Sequence, residues 1–143
     1  MPVGIQGSTN VTISLTDSAG TPRLITGFIM ELGGAEIEVE LQSSEAFGDL
    51  WREFVPTGMR NVTQIPAKGL FDTTTVTGPH VVLRPGDADA LPTSTPRTLV
   101  IVFGDSKTFT VSVWLNKYKV APSNGKLTGF ESLLQPTGAG VWT

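Results

Sequence analysis

The chain has 143 residues, 39% of them hydrophobic, which suffices for one domain with a real core and excludes a disordered composition. Ten basic against thirteen acidic residues give a net charge of −3, which excludes adsorption to nucleic acid through bulk charge. Cysteine is absent, so disulfides, thiol nucleophiles and cysteine zinc sites are excluded. Charged residues make up only 16% of the chain, below the ~25% usual for soluble domains. A chain this poor in charge often hides surface against a partner. No apolar run is long enough for a membrane-spanning helix, so no membrane insertion is expected. Met1-Pro2-Val3-Gly4 lacks the basic start and apolar stretch of a signal peptide.

In chain order, Val11 to Leu15 alternates apolar and polar residues, which predicts a half-buried strand. Asp17 to Pro22 is a turn signal. Residues 23–41 predict a hairpin about Gly33-Gly34. Over 43–55 the period changes. Phe47, Leu50, Trp51, Phe54 and Val55 fall at i, i+3, i+4, i+7 and i+8, one stripe of an amphipathic helix. Ser43 or Ser44 would cap it, Glu45 suits its N-terminal dipole, and Pro56 and Gly58 would end it. Val62 to Phe71 returns to strand, with Pro66 suggesting an edge or an irregularity. Residues 73–96 form a long Thr/Gly/Pro/Asp-rich connection in which Pro79 to Leu83 suggests a short helical turn. Residues 98–103 and 107–120 predict a second hairpin, and Leu127 to Leu134 a further strand. The tail from Gln135 is Gly-rich and ends on apolar Val141-Trp142. No repeat or linker divides the chain, so residues 1–143 read as one domain with flexible N-terminal and C-terminal ends.

Catalytic signatures are missing. The single histidine, His80, stands in a Pro-flanked loop and reads as a surface residue. No nucleophile elbow, phosphate loop or dinucleotide fingerprint occurs. Asp87-Ala88-Asp89 supplies too few oxygens for calcium. The chain therefore reads as a non-enzyme with no catalytic residues, no cofactor and no metal.

Ala35-Glu36-Ile37-Glu38-Val39-Glu40-Leu41 is the most informative stretch. In a strand Ile37, Val39 and Leu41 share one face, and Glu36, Glu38 and Glu40 the other. The carboxylates then stand ~7 Å apart and repel by only ~0.6 kcal/mol per neighbouring pair in water. Such a row is either an ordinary solvated face or a deliberately acidic wall. Charge is also uneven along the chain. Residues 31–53 carry seven acids against Arg52, while 107–130 carry Lys107, Lys117, Lys119 and Lys126 without an acid. These charges either pair within the molecule or join the acidic side of one copy to the basic side of the next.

Ser43 to Arg60, with the continuation Ile65 to Asp72, resembles the tail tube (major tail) proteins of long-tailed, non-contractile bacteriophages. In that family an aromatic-bearing helix or loop leads into a Pro-x-Gly-x-Arg-like turn, here Pro56 to Arg60, and then a strand ending in Gly-x-aromatic-Asp. Lys126 to Gly138 is similar to the family's closing strand. Asp72-Thr73-Thr74 departs from it, since many relatives have consecutive acids there; an appended immunoglobulin-like decoration domain is also missing.

The resemblance implies a mostly β fold of two packed antiparallel sheets, sandwich- or barrel-like, with one flanking α-helix and long interaction loops. It implies a structural virion protein that closes into homohexameric rings stacked as a tube. The partners implied are further copies of itself, the tape measure protein, and tail terminator and tail-tip proteins, with DNA passing through without binding. The location implied is the virion tail, assembled in the host bacterial cytoplasm. Glu36, Glu38 and Glu40 are then expected to line the lumen. Phe47, Leu50, Trp51 and Phe54 are expected to pack the helix on its own sheet. Arg52, Pro56, Met59 and Arg60 are candidates for contacts between rings or subunits, as are the 73–96 arm, Val141 and Trp142. Alternatives are an inner-tube protein of a contractile injection or secretion system, and a monomeric β-sandwich module for binding or capsid decoration.

Overall fold

The computed structural model describes residues 11–16, 20–72, 79–83, 96–104, 106–122 and 124–143. Nine strands appear among them: β1 (Thr12–Thr16), β2 (Pro22–Leu24), β3 (Ile29–Leu32), β4 (Ile37–Ser43), β5 (Phe54–Val62), β6 (Ile65–Leu70), β7 (Arg97–Val102), β8 (Thr108–Ala121) and β9 (Gly129–Trp142). One helical turn, α1 (Pro79–Leu83), precedes β7. Seven strands form one antiparallel sheet in the order β2-β1-β7-β8-β9-β6-β3, and β4 pairs only with β5.

Residues Ile25 to Phe28 join β2, on one margin of the large sheet, to β3 on the other. Five bonded steps from Leu24 to Ile29 span at most ~18 Å. Seven strands laid flat would hold their margins ~28 Å apart. The sheet must therefore curl until its margins approach. Hydrogen bonds tie the start of this connection to β1, since Thr26 Oγ1 accepts from the Ile13 amide at 2.8 Å and Ile25 N–H donates to Ile13 O at 3.0 Å. The core fills the concave side. Ile13, Leu15, Ile65, Leu99, Ile101, Phe109, Val111, Val113, Phe130 and Leu134 are buried there, on alternate positions of their strands. The expected two facing sheets are thus one curled sheet and a separate two-stranded ribbon.

The hairpin predicted over 98–120 forms as β7 and β8, paired from Arg97↔Val113 to Val102↔Thr108. The helical turn at Pro79–Leu83 is also present. Val82 and Leu83 are fully buried, and the Arg97 guanidinium donates to Val82 O, tying α1 to β7. His80 is half-buried rather than a free surface residue; its Nδ1 lies 3.1 Å from the Tyr118 hydroxyl.

The helix expected over 43–55 is not formed. Residues 44–53 are the loop of the β4–β5 hairpin, and Phe54 already belongs to β5 opposite Ser43. Local chemistry favours the turn. Asp49 Oδ2 accepts from the Ala46 amide at 2.6 Å, Gly48 takes φ +94, and Ser44 N–H closes the loop on Glu53 O at 3.0 Å. A left-handed glycine at the centre ends any helix there. Pro56 and Gly58 consequently lie within β5 and terminate nothing.

The Gly33-Gly34 hairpin is not formed either. β3 pairs with β6 and β4 with β5, and Gly33 N–H donates to Pro66 O at 2.8 Å. The glycines carry the chain out of the large sheet into the ribbon. β6 is correspondingly interior, between β9 and β3. Pro66 is tolerated because its carbonyl faces β3, so its missing N–H falls on that side, where β3 pairing runs out. The C-terminal end, expected to be flexible, is strand up to Trp142, and Thr143 exchanges backbone hydrogen bonds with Thr108 at 2.8 and 3.0 Å. The expected N-terminal end (1–10), most of the 73–96 arm and Asp87-Ala88-Asp89 lie outside the described residues.

Candidate assembly surface

The β4–β5 hairpin projects from the body. All seven residues of β4 are exposed, as is all of β5 except Val62. Seven residues of strand reach ~24 Å. Its foot is anchored: Val62 is 4% exposed, and a Cβ added at Gly140 of β9 would stand 2.9 Å from Val62 Cγ2 and 2.7 Å from Phe109 Cζ. Glycine at 140 is what lets the ribbon seat against the body.

Residues paired across strands point the same way. Ile37 pairs with Val62, Val39 with Arg60, Leu41 with Pro56 and Ser43 with Phe54. Because Val62 enters the core, this apolar face continues the interior of the curled sheet beyond its edge. Glu38 pairs with Asn61 on the opposite face, and Glu40 lies at a register shift where Thr57, Gly58 and Met59 bulge out of β5. Glu36 immediately precedes β4. All three carboxylates are exposed, and none joins an ion pair among the described residues.

The hairpin tip bears the four residues expected to pack a helix. Instead Phe47 is fully exposed, Leu50 is 93% exposed, Trp51 85% and Phe54 58%. Among the described residues the stripe has no sheet beneath it. Of the expected contact loop, only Arg52 belongs to the tip, where Nε lies 3.4 Å from Glu45. Pro56, Met59 and Arg60 are spread along β5, Met59 being 65% exposed. Val141 and Trp142 are about half exposed; Trp142 covers Phe109 at 5.0 Å and Phe103 at 5.7 Å. An open apolar groove of about 530 Å³, lined by Ile13, Ile29, Met30, Leu32, Ile101 and Phe103 among others, marks where the sheet margins approach. Exposed apolar surface this extensive signals a binding face.

Part of the charge asymmetry is resolved inside the molecule. Register places Glu31 opposite Lys68, Lys68 opposite Glu131 and Glu131 opposite Lys119, an alternating ladder across β3, β6, β9 and β8. Lys68 Nζ lies 4.0 Å from Glu131. No shared row of this kind includes Lys117, Lys126 or the hairpin acids. Sequence reading missed the ladder because it depends on long-range register, although the opposite charges were visible. Among the described residues no group of three or more His, Asp or Glu side chains could hold a metal.

This fold is shared with chains of solved phage and phage-like assemblies, among them a tail and a tail tube. No protein-family model and no curated protein matches the sequence. Among solved structures, a chain of the native gene transfer agent virion is similar over 97% of this chain and 99% of its own, at 15% identity and TM-score 0.71. The SPP1 tail tube chain is similar over 96% of this chain and 78% of its own, at 10% identity and TM-score 0.66. A chain of the anti-feeding prophage baseplate is similar over 100% of this chain and 96% of its own, at 12% identity and TM-score 0.64.

Proposed function

We propose that this chain is a non-enzymatic structural subunit that polymerises as stacked hexameric rings to form the tail tube of a long-tailed, non-contractile phage or phage-like particle. The observation that carries this is the projecting hairpin, apolar at its tip and along one face, with nothing among the described residues to cover either. A second copy supplies cover, and a repeated contact of unlike surfaces closes a ring or extends a stack. Pairing between copies also satisfies the open edges of β4 and β5. The gene transfer agent tail, which resembles this fold, was determined with six-fold symmetry.

In such a tube Glu36, Glu38 and Glu40 face the lumen, Arg52, Pro56, Met59 and Arg60 meet neighbouring copies, and Val141 and Trp142 add a contact at the end of β9. A carboxylate wall repels phosphate, so DNA slides through; lysines there would bind it and release counterions. The tape measure protein occupies the lumen before DNA does, and terminator and tail-tip proteins cap the ends. Assembly takes place in the host cytoplasm and the product resides in the virion tail.

Negative-stain microscopy of the concentrated protein tests assembly: tubes or six-fold rings are expected. A protein that stays monomeric even with its tail partners overturns it. Replacing Glu36, Glu38 and Glu40 with lysine is expected to leave tubes intact while lowering DNA delivery. Normal delivery by that variant would refute the acidic wall.

A second reading has its own support. Chains of the anti-feeding prophage baseplate and of an extracellular contractile injection system share the fold across this whole chain. An inner tube of a contractile machine therefore uses the same assembly surfaces. A neighbouring sheath gene favours that reading, and a tape measure gene without one favours the phage tube.

A further inference from the structure

We propose that the tip of the β4–β5 hairpin docks on the basic end of the β8–β9 ribbon of a second copy, through Trp51, Leu50 and Glu53 on one side and Lys117, Lys126 and Leu127 on the other. The inference rests on the self-assembly reading and names the surfaces that meet. The tip carries Glu45, Asp49 and Glu53 against one arginine, and that arginine is paired with Glu45. Phe47, Leu50 and Trp51 there are the three most exposed large hydrophobic side chains among the described residues. Leu127, in the turn between β8 and β9, is 78% exposed beside Lys126, and Lys117 is exposed on β8. Lys119, in the same part of β8, already faces Glu131 in the cross-strand ladder, which leaves Lys117 and Lys126 for an outside partner.

The foot of the hairpin and the lysine turn lie at opposite ends of β9. The foot of the hairpin touches Gly140, whereas the lysine turn follows Ala121, which pairs with Gly129. Eleven residues of strand separate these ends by ~37 Å. Leu50 and Trp51 at the tip and Leu127 in the turn are all largely exposed, so the two surfaces do not meet within one described chain, and copies placed in succession can join them. Each contact offers aromatic and aliphatic surface to bury, framed by charges of opposite sign. Opposite charge steers approach and sets register, while the apolar groups carry affinity.

E53K and K126E are expected each to abolish tubes while melting at the wild-type temperature, because each sets like charges against one another where position 53 of one copy meets position 126 of the next and brings that end of the copy to no net charge. Mixed in equal amounts they are expected to restore tubes, since opposite charges again face one another at positions 53 and 126 both where the E53K tip meets the K126E turn and where the K126E tip meets the E53K turn. Tubes from either variant alone, or no tubes from the mixture, overturn the contact. So would a tip seated in the apolar groove between β1 and β3, which makes assembly indifferent to both changes. The native chain has no cysteine, so E53C/K126C tubes treated with a short bis-maleimide give an independent readout. A ladder of covalent multimers is expected, and monomers alone recovered from intact tubes overturn the proposal. If the wild-type protein forms no tubes, the tube reading itself fails, which is a separate result.

Discussion

Replacing Phe47, Leu50 and Trp51 together with serine is expected to abolish tube formation and leave the melting temperature of the isolated subunit nearly unchanged. The three side chains are almost wholly in water, so their removal takes no core contact away. Surface changes of that kind usually stay within ~0.5 kcal/mol each. Had these residues packed a helix onto its own sheet, each truncation would cost ~2–5 kcal/mol. A denaturation curve therefore separates the two arrangements before any microscopy. Unchanged stability with lost tubes is the outcome the hairpin geometry demands. A collapse in stability would restore the helix, and tubes that persist would remove the tip from assembly.

Phe109→Ala is expected to act in the opposite way, destabilising the subunit by ~3–5 kcal/mol. Phe109 is fully buried on β8, covered by Trp142 and crossed by the backbone at Gly140. Truncation opens a cavity where three features meet: the core, the end of β9 and the foot of the hairpin. The surroundings collapse poorly, because Val62 is held by β5 and Gly140 adjoins Val141, which pairs with Thr110 of β8. For a domain whose whole stability is ~5–15 kcal/mol, that loss populates unfolded chains measurably. Denaturant unfolding with an unchanged m-value and a lower midpoint is the expected signature. Tubes would then fail through loss of folded subunits, and lowering the temperature should recover them. No cooling recovers tubes from the triple tip variant. A Phe109→Ala protein as stable as wild type would mean that the hairpin foot and β9 do not meet there.

Much of this molecule could be read from its residues in order. Strands β1, β7, β8 and the first half of β9 were legible because one face of each is buried in the chain's own core, and period-two alternation then depends on neighbours alone. The short turn at Pro79–Leu83 was legible from local composition. The separation of Ile37, Val39 and Leu41 from the glutamates on β4 needed only strand geometry. Missing catalytic motifs pointed away from an enzyme without any fold at all.

Other features were decided only in three dimensions. Spacing such as Phe47, Leu50, Trp51 and Phe54 predicts a helix only if an apolar stripe must face a core of the same chain. Among the described residues none lies beneath it, and the turn chemistry of Gly48 and Asp49 prevails. Gly33-Gly34 read as a reversal between neighbours, but β3 found its partner at residues 67–69 and β4 found its own at 54–62. Such choices are settled by which pairings bury the core residues together, a comparison across distant segments that no local window contains. The charges divide in the same manner. Sequence determined that acids cluster at 31–53 and lysines at 107–130; register decided that Glu31 and Lys119 join a ladder across four strands. Glu36, Glu38, Glu40, Lys117 and Lys126 stay exposed, and none of them joins an ion pair or that ladder among the described residues.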